Sequence, residues 1–167
     1  MEKNKRTFAA LVTESVTPKI SPSSKQKQIL VPIDFSESSL SALRHARELA
    51  AEQRARLILF NVVEDRASFR TLDAVGQHRA SYEQRSEKLR EIAERELGSH
   101  VVTNIEVREG KPSVEIELFA RQRHVDLIIV GRHQHHGLRQ WFNGHTASRL
   151  SKNAPCPLLV LTAGHLN

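Results

Sequence analysis

The chain has 167 residues, of which 39% are hydrophobic and 26% are charged, and its formal net charge is +6. This length and composition are typical of one soluble globular domain whose core needs neither disulfides nor a structural metal. The single cysteine excludes an internal disulfide scaffold, and no apolar run is long enough to cross a bilayer. We therefore expect a cytoplasmic protein with no membrane partner.

The positive charge is concentrated in two segments. Residues 1–28 have six basic and two acidic side chains, and residues 121–152 have six basic side chains and one acidic. The first segment has little apolar periodicity, so we predict a disordered basic tail over residues 1–27 and one domain over residues 28–163. A charge cluster inside a fold, such as residues 121–152, more often marks an anion site.

Apolar segments alternate with helical patterns along the domain. The run at residues 29–33 predicts a buried strand that ends at Asp34, after which Ser36 fits the N-cap of a helix that ends near Gln53. The further predicted strands are 56–63, 101–108, 125–130 and 158–161, and the further predicted helices are 72–97, 112–123 and one before the last strand. This order predicts an α/β fold, a five-stranded parallel sheet with helices on both faces. Pro155 and Pro157 place the last strand at an edge.

Ligands of such sheets bind beyond the carboxyl ends of the strands, which places Asp34, the turn at residues 62–64 and Gly131 on one rim. The segment from Gly131 to Thr146 follows a strand and precedes a helix, and it contains further glycines and arginines. Glycine lets main-chain amides converge on phosphate oxygens, so the segment is a candidate phosphate loop. The alternative is a loop whose glycines only turn the chain.

Five segments taken together resemble the universal stress protein family. They are ILVPID at 29–34, NVV at 61–63, GKP at 110–112, DLIIVG at 126–131 and NAPCPLLV at 153–160. The resemblance covers residues 27–163 and implies the family's adenine-nucleotide alpha hydrolase-like fold. It also implies a homodimer, and ATP binding in some members but not in others.

The candidate phosphate loop departs from the family pattern at two positions. ATP-binding members have G-x2-G-x9-G-(S/T) after the fourth strand, and Gly131 and Gly144 match the first and last glycines. The middle glycine is replaced by Gln134, and the hydroxyl position is His145, with Thr146 one residue later. A side chain at position 134 would obstruct close phosphate approach, so we expect ATP to bind weakly or not at all.

The nucleoside half of the site is intact in sequence. By resemblance, Asp34 would contact the ribose or adenine side, and Val62 would contact adenine through its main chain. Asp34 has an alternative interpretation as a strand-end residue that caps the adjoining turn. We expect no metal beyond nucleotide-bound magnesium, because the loop histidines have no fixed ligand spacing (His133, His135, His136 and His145). Cys156 is interpreted as a small buried residue rather than a nucleophile.

The resulting hypothesis is a stress-response regulatory module, either nucleotide-responsive or purely interaction-based, that forms a homodimer through Pro157 to Thr162. Pairing with a second copy would cover the apolar edge strand. One alternative is an ATP-hydrolysing enzyme, which would need a metal-binding carboxylate and a group that positions water. Neither is evident in the sequence, and we expect no enzyme activity. A second alternative is a nucleic-acid binder with steep salt dependence, and we do not expect a nucleic-acid partner.

Overall fold

The computed structural model describes residues 26–64, 72–98, 103–132 and 145–162, with the backbone alone for 72–79, 103 and 145. The strands are β1 (Gln28–Pro32), β2 (Arg56–Val63), β3 (Thr103–Glu109), β4 (Leu127–Arg132) and β5 (Leu158–Thr162). The helices that alternate with them are α1 (Glu37–Gln53), α2 (Leu72–Leu97), α3 (Pro112–Arg123) and α4 (His145–Asn153). The predicted α/β order is confirmed. Residues 1–25 of the predicted tail lie outside the described residues.

The five strands form one parallel sheet in the order β3-β2-β1-β4-β5. Strand β1 is central and pairs with β2 on one side and with β4 on the other. Its residues from Ile29 to Pro32 are all buried, as expected for a strand that is covered on both faces. Strand β5 lies at the edge beside β4, as the two prolines before it predict.

Two apolar cores cover the two faces of the sheet. Alternate side chains of β1 and β2, such as Val31 and Leu59, pack with α1 and α2. The intervening side chains, such as Leu30 and Phe60, pack with α3 and α4. The Phe60 ring contacts Phe119 of α3 at a centroid distance of 4.8 Å. Helices therefore lie on both faces, as predicted.

The helix ends follow the chemistry of their terminal residues. Ser36 is the N-cap of α1, where its hydroxyl accepts a hydrogen bond from Ser39 N at 3.2 Å. Helix α3 begins at Pro112, whose missing N–H would have had no partner in a first turn. Helix α2 is followed by Gly98 with φ of 64°, the left-handed conformation that ends many helices. None of the helices in the described ranges has the length and hydropathy of a membrane span.

Candidate functional site

The candidate site lies at the carboxyl edge of the sheet. Pro32 of β1 is level with Phe60 of β2, so Asp34 and Val62 each lie two residues beyond this pair. Gly131 is the penultimate residue of β4, the other neighbour of β1. The structure thus brings Asp34, Val62 and Gly131 to the same rim. This is where an open parallel sheet holds its ligands.

The two carboxylate oxygens of Asp34 have different surroundings. Oδ1 accepts hydrogen bonds from the main-chain N–H of Ser36, at 3.0 Å, and from the Ser36 hydroxyl. Asp34 therefore holds the adjoining turn, as the structural alternative in the sequence predicts. Oδ2 is buried and has no hydrogen-bond partner among the described residues. A buried carboxylate oxygen without a partner is costly, so Oδ2 remains available to a donor from a ligand.

The main chain of Val62 faces the space beyond the end of β1. Ile33, the residue after β1, donates its main-chain N–H to Phe60 O. Gly110, the residue after β3, donates its main-chain N–H to Val63 O. Carbonyl directions alternate along a strand, so the N–H and C=O of Val62 point to the β1 side. Asp34 follows β1 two residues after the Pro32–Phe60 pair, as Val62 does in β2. The main-chain donor and acceptor of Val62 therefore face the end of β1 that Asp34 follows.

Serine side chains form hydrogen bonds at the N-terminus of α1. The Ser36 hydroxyl donates to Asp34 Oδ1, accepts from Ser39 N and lies 3.0 Å from the Ser38 hydroxyl. A hydroxyl has one donor and two acceptor positions, and all three are used here. Ser36, Ser38 and Ser39 are all buried. The Ser36 hydroxyl therefore has no position left for a phosphate group of a ligand.

The candidate phosphate loop is described only at its ends. Gln134, Gly144 and the histidines at 133, 135 and 136 lie outside the described residues. His145 begins α4, where its backbone alone is described, and Thr146 is buried. No group of three metal-ligating side chains occurs within the ranges the structure covers.

Sequence reasoning missed Asn61. This residue is buried in β2, where its side-chain nitrogen donates to Ile33 O at 2.6 Å and its oxygen accepts from Arg85 of α2 at 3.1 Å. A polar residue inside the apolar run Leu57 to Val63 is the signal that could have found it, since buried amides are hydrogen-bonded. Burial lowers the pKa of the Arg85 guanidinium below its ordinary value.

Two further sequence interpretations need correction. Cys156, expected to be buried, is only half-buried beside the second core, and partial burial together with the charge of Asp126 raises the pKa of its thiol. The apolar periodicity of residues 72–97 places Tyr82 on the apolar face of that helix, but Tyr82 is 39% exposed, and its hydroxyl donates to Val107 O at 2.6 Å. Neither residue lies among the rim contacts of Asp34.

A parallel α/β sheet with polar groups at its carboxyl edge defines the class of open-sheet proteins that bind ligands at that edge. A model of the universal stress protein family matches residues 26–162, and the chain belongs to that family. Universal stress protein MJ0531 of Methanocaldococcus jannaschii is 36% identical over 143 residues, which cover 81% of this chain and 81% of that protein.

Two solved structures of the family share the fold. A universal stress protein in complex with cAMP aligns with a TM-score of 0.61 and 16% identity over 84% of this chain and 100% of the other. A universal stress protein family protein of Arabidopsis thaliana with AMP bound aligns with a TM-score of 0.54 and 18% identity. The alignment covers 83% of this chain and 93% of the other. The five-stranded parallel fold implied by the resemblance is confirmed.

Proposed function

We propose that this universal stress protein is a regulatory module that binds an adenine nucleotide at the rim formed by Asp34 and Val62. The observation that carries the proposal is that Oδ2 of Asp34 is buried and has no hydrogen-bond partner in the part of the chain that the structure describes. A carboxylate oxygen accepts hydrogen bonds from neighbouring hydroxyls, and the ribose supplies two of them in AMP and one in cAMP. One oxygen holds the turn and the other serves the ligand.

The base would be held by the main chain of Val62. Its N–H and C=O face the same side of β2, which gives one donor next to one acceptor. Adenine has the complementary pair on its base-pairing edge, where a ring nitrogen accepts and the amino group donates. Val62 itself is buried, and its side chain belongs to the core that packs with α3 and α4.

We favour a nucleoside monophosphate, AMP or cAMP, over ATP. The sequence replaces the middle glycine of the family's ATP loop by Gln134 and its hydroxyl by His145, and both changes affect contacts to a triphosphate. A monophosphate needs fewer such contacts. Two family structures that share the fold contain cAMP and AMP, which supports this choice. If the site holds its phosphate, the residues around it would be the Gly131 and Gly144 main chain, His145 and Thr146.

Two measurements test which nucleotide the protein binds and whether it prefers a monophosphate to a triphosphate. Mass spectrometry of small molecules released from freshly purified protein should detect AMP or cAMP rather than ATP. In a calorimetric titration, Gln134→Gly should strengthen ATP binding and leave AMP binding nearly unchanged. Retention of ATP by the wild-type protein would contradict the monophosphate preference.

We also propose a homodimer through β5. Leu159 and Val160 are 39% and 36% exposed on this edge strand, although both are apolar. Antiparallel pairing with a second copy would bury these side chains and satisfy the outer main-chain groups of the strand.

The proposed activity is regulatory rather than enzymatic, and its compartment is the cytoplasm, where a lone thiol remains reduced. Magnesium would enter only with a bound triphosphate. A phosphate-release assay with magnesium ATP tests whether the protein is an enzyme. Turnover at an enzyme's usual rate of about 1 s⁻¹ or more would contradict the regulatory assignment. The purely interaction-based alternative predicts the dimer without any nucleotide.

A further inference from the structure

The peptide segment that contains Asp34 is held by a buried amide. The side-chain nitrogen of Asn61 donates to the carbonyl of Ile33, the residue immediately before Asp34, at 2.6 Å. Its side-chain oxygen accepts from Arg85 Nη1 at 3.1 Å. A carbonyl can only accept and a guanidinium can only donate, so one orientation of the amide satisfies both partners. Arg85 therefore favours the same orientation of the Asn61 amide as the Ile33 carbonyl does.

Phe35, the residue after Asp34, contacts side chains of α2, the helix that contains Arg85. Phe35 has φ of 67°, a conformation in which a bulky side chain is strained and persists only where its surroundings hold it. The Lys88 ammonium lies 4.4 Å from the centroid of the Phe35 ring, and the Arg85 guanidinium lies 5.9 Å from it. Cations over an aromatic face are attracted to it. Helix α2 thus contacts Phe35 directly and is linked to Ile33 through Asn61.

Arg85 is partly buried, unlike a second arginine of the same helix. Arg85 is half-buried, and this desolvation lowers the pKa of its guanidinium. Arg90, one turn and a half further along α2, is exposed and forms an exposed ion pair with Glu87 at 2.7 Å. The two arginines of one helix therefore have different surroundings, and Arg90 provides a matched control.

We infer that Arg85 is a positioning residue for the nucleotide site, which acts through Asn61 and Phe35 to hold the Asp34 carboxylate in its binding orientation. The inference rests on the proposed function, because it assigns a role at that site. Arg85 itself is not assigned a contact with the ligand.

The test compares the full-length wild-type protein with Arg85→Met, Arg85→Lys and the control Arg90→Met. The first variant keeps an unbranched apolar stem and removes the guanidinium, and the second restores a cation. AMP affinity is measured by calorimetry, and hydrogen exchange of the Ser36 amide, which donates to Asp34 Oδ1, is measured without ligand. Thermal unfolding of each variant reports general stability.

We expect Arg85→Met to weaken AMP binding about tenfold, the lower range for loss of a partner that orients a ligand-binding group. Exchange of the Ser36 amide should rise in the same variant while amides in the middle of β2 keep their protection. Arg85→Lys should recover part of both effects, and Arg90→Met should change neither.

Three outcomes would overturn the inference. Unchanged Ser36 exchange in Arg85→Met would show that Arg85 does not hold the Asp34 turn, whatever the nucleotide result. AMP affinity within twofold of the wild-type value would remove the link to the ligand while leaving the proposed function intact. Absence of AMP binding in the wild-type protein would instead refute the proposed function, and the role at that site with it.

Discussion

Gly131 of β4 lies directly against the main chain of Ser38 in α1. A Cβ atom on Gly131 would be 2.0 Å from the Ser38 carbonyl oxygen and 2.8 Å from Ser39 N. These atoms belong to the first turn of the helix, which cannot move away without leaving the sheet. Gly131 matches the first glycine of the family's ATP loop, yet the packing of α1 on β4 is sufficient to require a glycine here.

This contact predicts that Gly131→Ala destabilises the fold. Because the added methyl group overlaps main-chain atoms, we expect the free energy of unfolding to fall by about 3 kcal/mol, the upper end for overpacked sites. Urea denaturation measures the change. Gly98→Ala is the control, since that position has a positive φ, which Gly131 does not have, but has no atom within 4 Å of a new Cβ. Its cost should be about 1 kcal/mol, from the left-handed backbone alone. Equal costs at the two positions would contradict the packing argument.

Ser36 links the cap of α1 to Asp34. Ser36→Ala removes the acceptor for Ser39 N and the hydroxyl donor to Asp34 Oδ1, so we expect a loss of about 1.5 kcal/mol in unfolding free energy. The comparison is Ser151→Ala, which removes an exposed hydroxyl bonded to Ser148 O within a helix. That variant should have nearly wild-type stability. A Ser36→Ala protein as stable as Ser151→Ala would refute the capping role.

The ion pair between Glu96 of α2 and Arg44 of α1 should be sensitive to acid. Burial alone would raise the pKa of Glu96, but hydrogen bonds from Arg95 and from Arg44 of α1 outweigh it, so the pKa lies below the ordinary value of 4.5. A lowered carboxyl pKa contributes stability above the unfolded pKa, and this contribution is lost as the pH falls through the folded pKa. The stabilisation is therefore present at neutral pH and disappears below about pH 4.5.

Glu96→Gln tests this contribution. We expect the variant to be less stable than the wild-type protein by about 0.5 kcal/mol at pH 7, since the pair with Arg44 is partly exposed. The two proteins should converge in stability at acidic pH. Glu87→Gln serves as the control because its ion pair with Arg90 is exposed on both sides. A difference that persists unchanged at acidic pH would contradict the assignment.

The exposed apolar side chains of β5 predict a dimer that a charge can break. Val160→Lys should shift sedimentation toward a monomer, because burying an unpaired ammonium at a strand interface is costly. Val114→Lys, at an exposed apolar position on α3, should leave the association state unchanged. A wild-type protein that sediments as a monomer throughout the micromolar range would contradict the proposed dimer.

The sequence predicted most of the fold because each buried strand has its own local signal. The apolar run before Asp34, the Ser36 cap and Pro112 at a helix start are contiguous patterns, and each has the predicted role. The contacts of Asn61 could not be predicted in the same way. They join β2 to Ile33, which is 28 residues away in the chain, and to Arg85, which is 24 residues away. Such partners depend on how the helix packs, which local periodicity does not specify.

Calorimetric titration of AMP into the wild-type protein, Asp34→Ala and Asp126→Ala tests the central claim most directly. Asp126 is the matched control, since its carboxylate also accepts from a main-chain N–H, that of Gln28, but at the amino end of β1. We expect AMP to bind the wild-type protein and Asp126→Ala alike. Asp34→Ala should bind about tenfold or more weakly, the loss expected for charged hydrogen bonds to a ligand hydroxyl. Equal binding by Asp34→Ala and wild type, or no binding by wild type at millimolar AMP, would contradict the account.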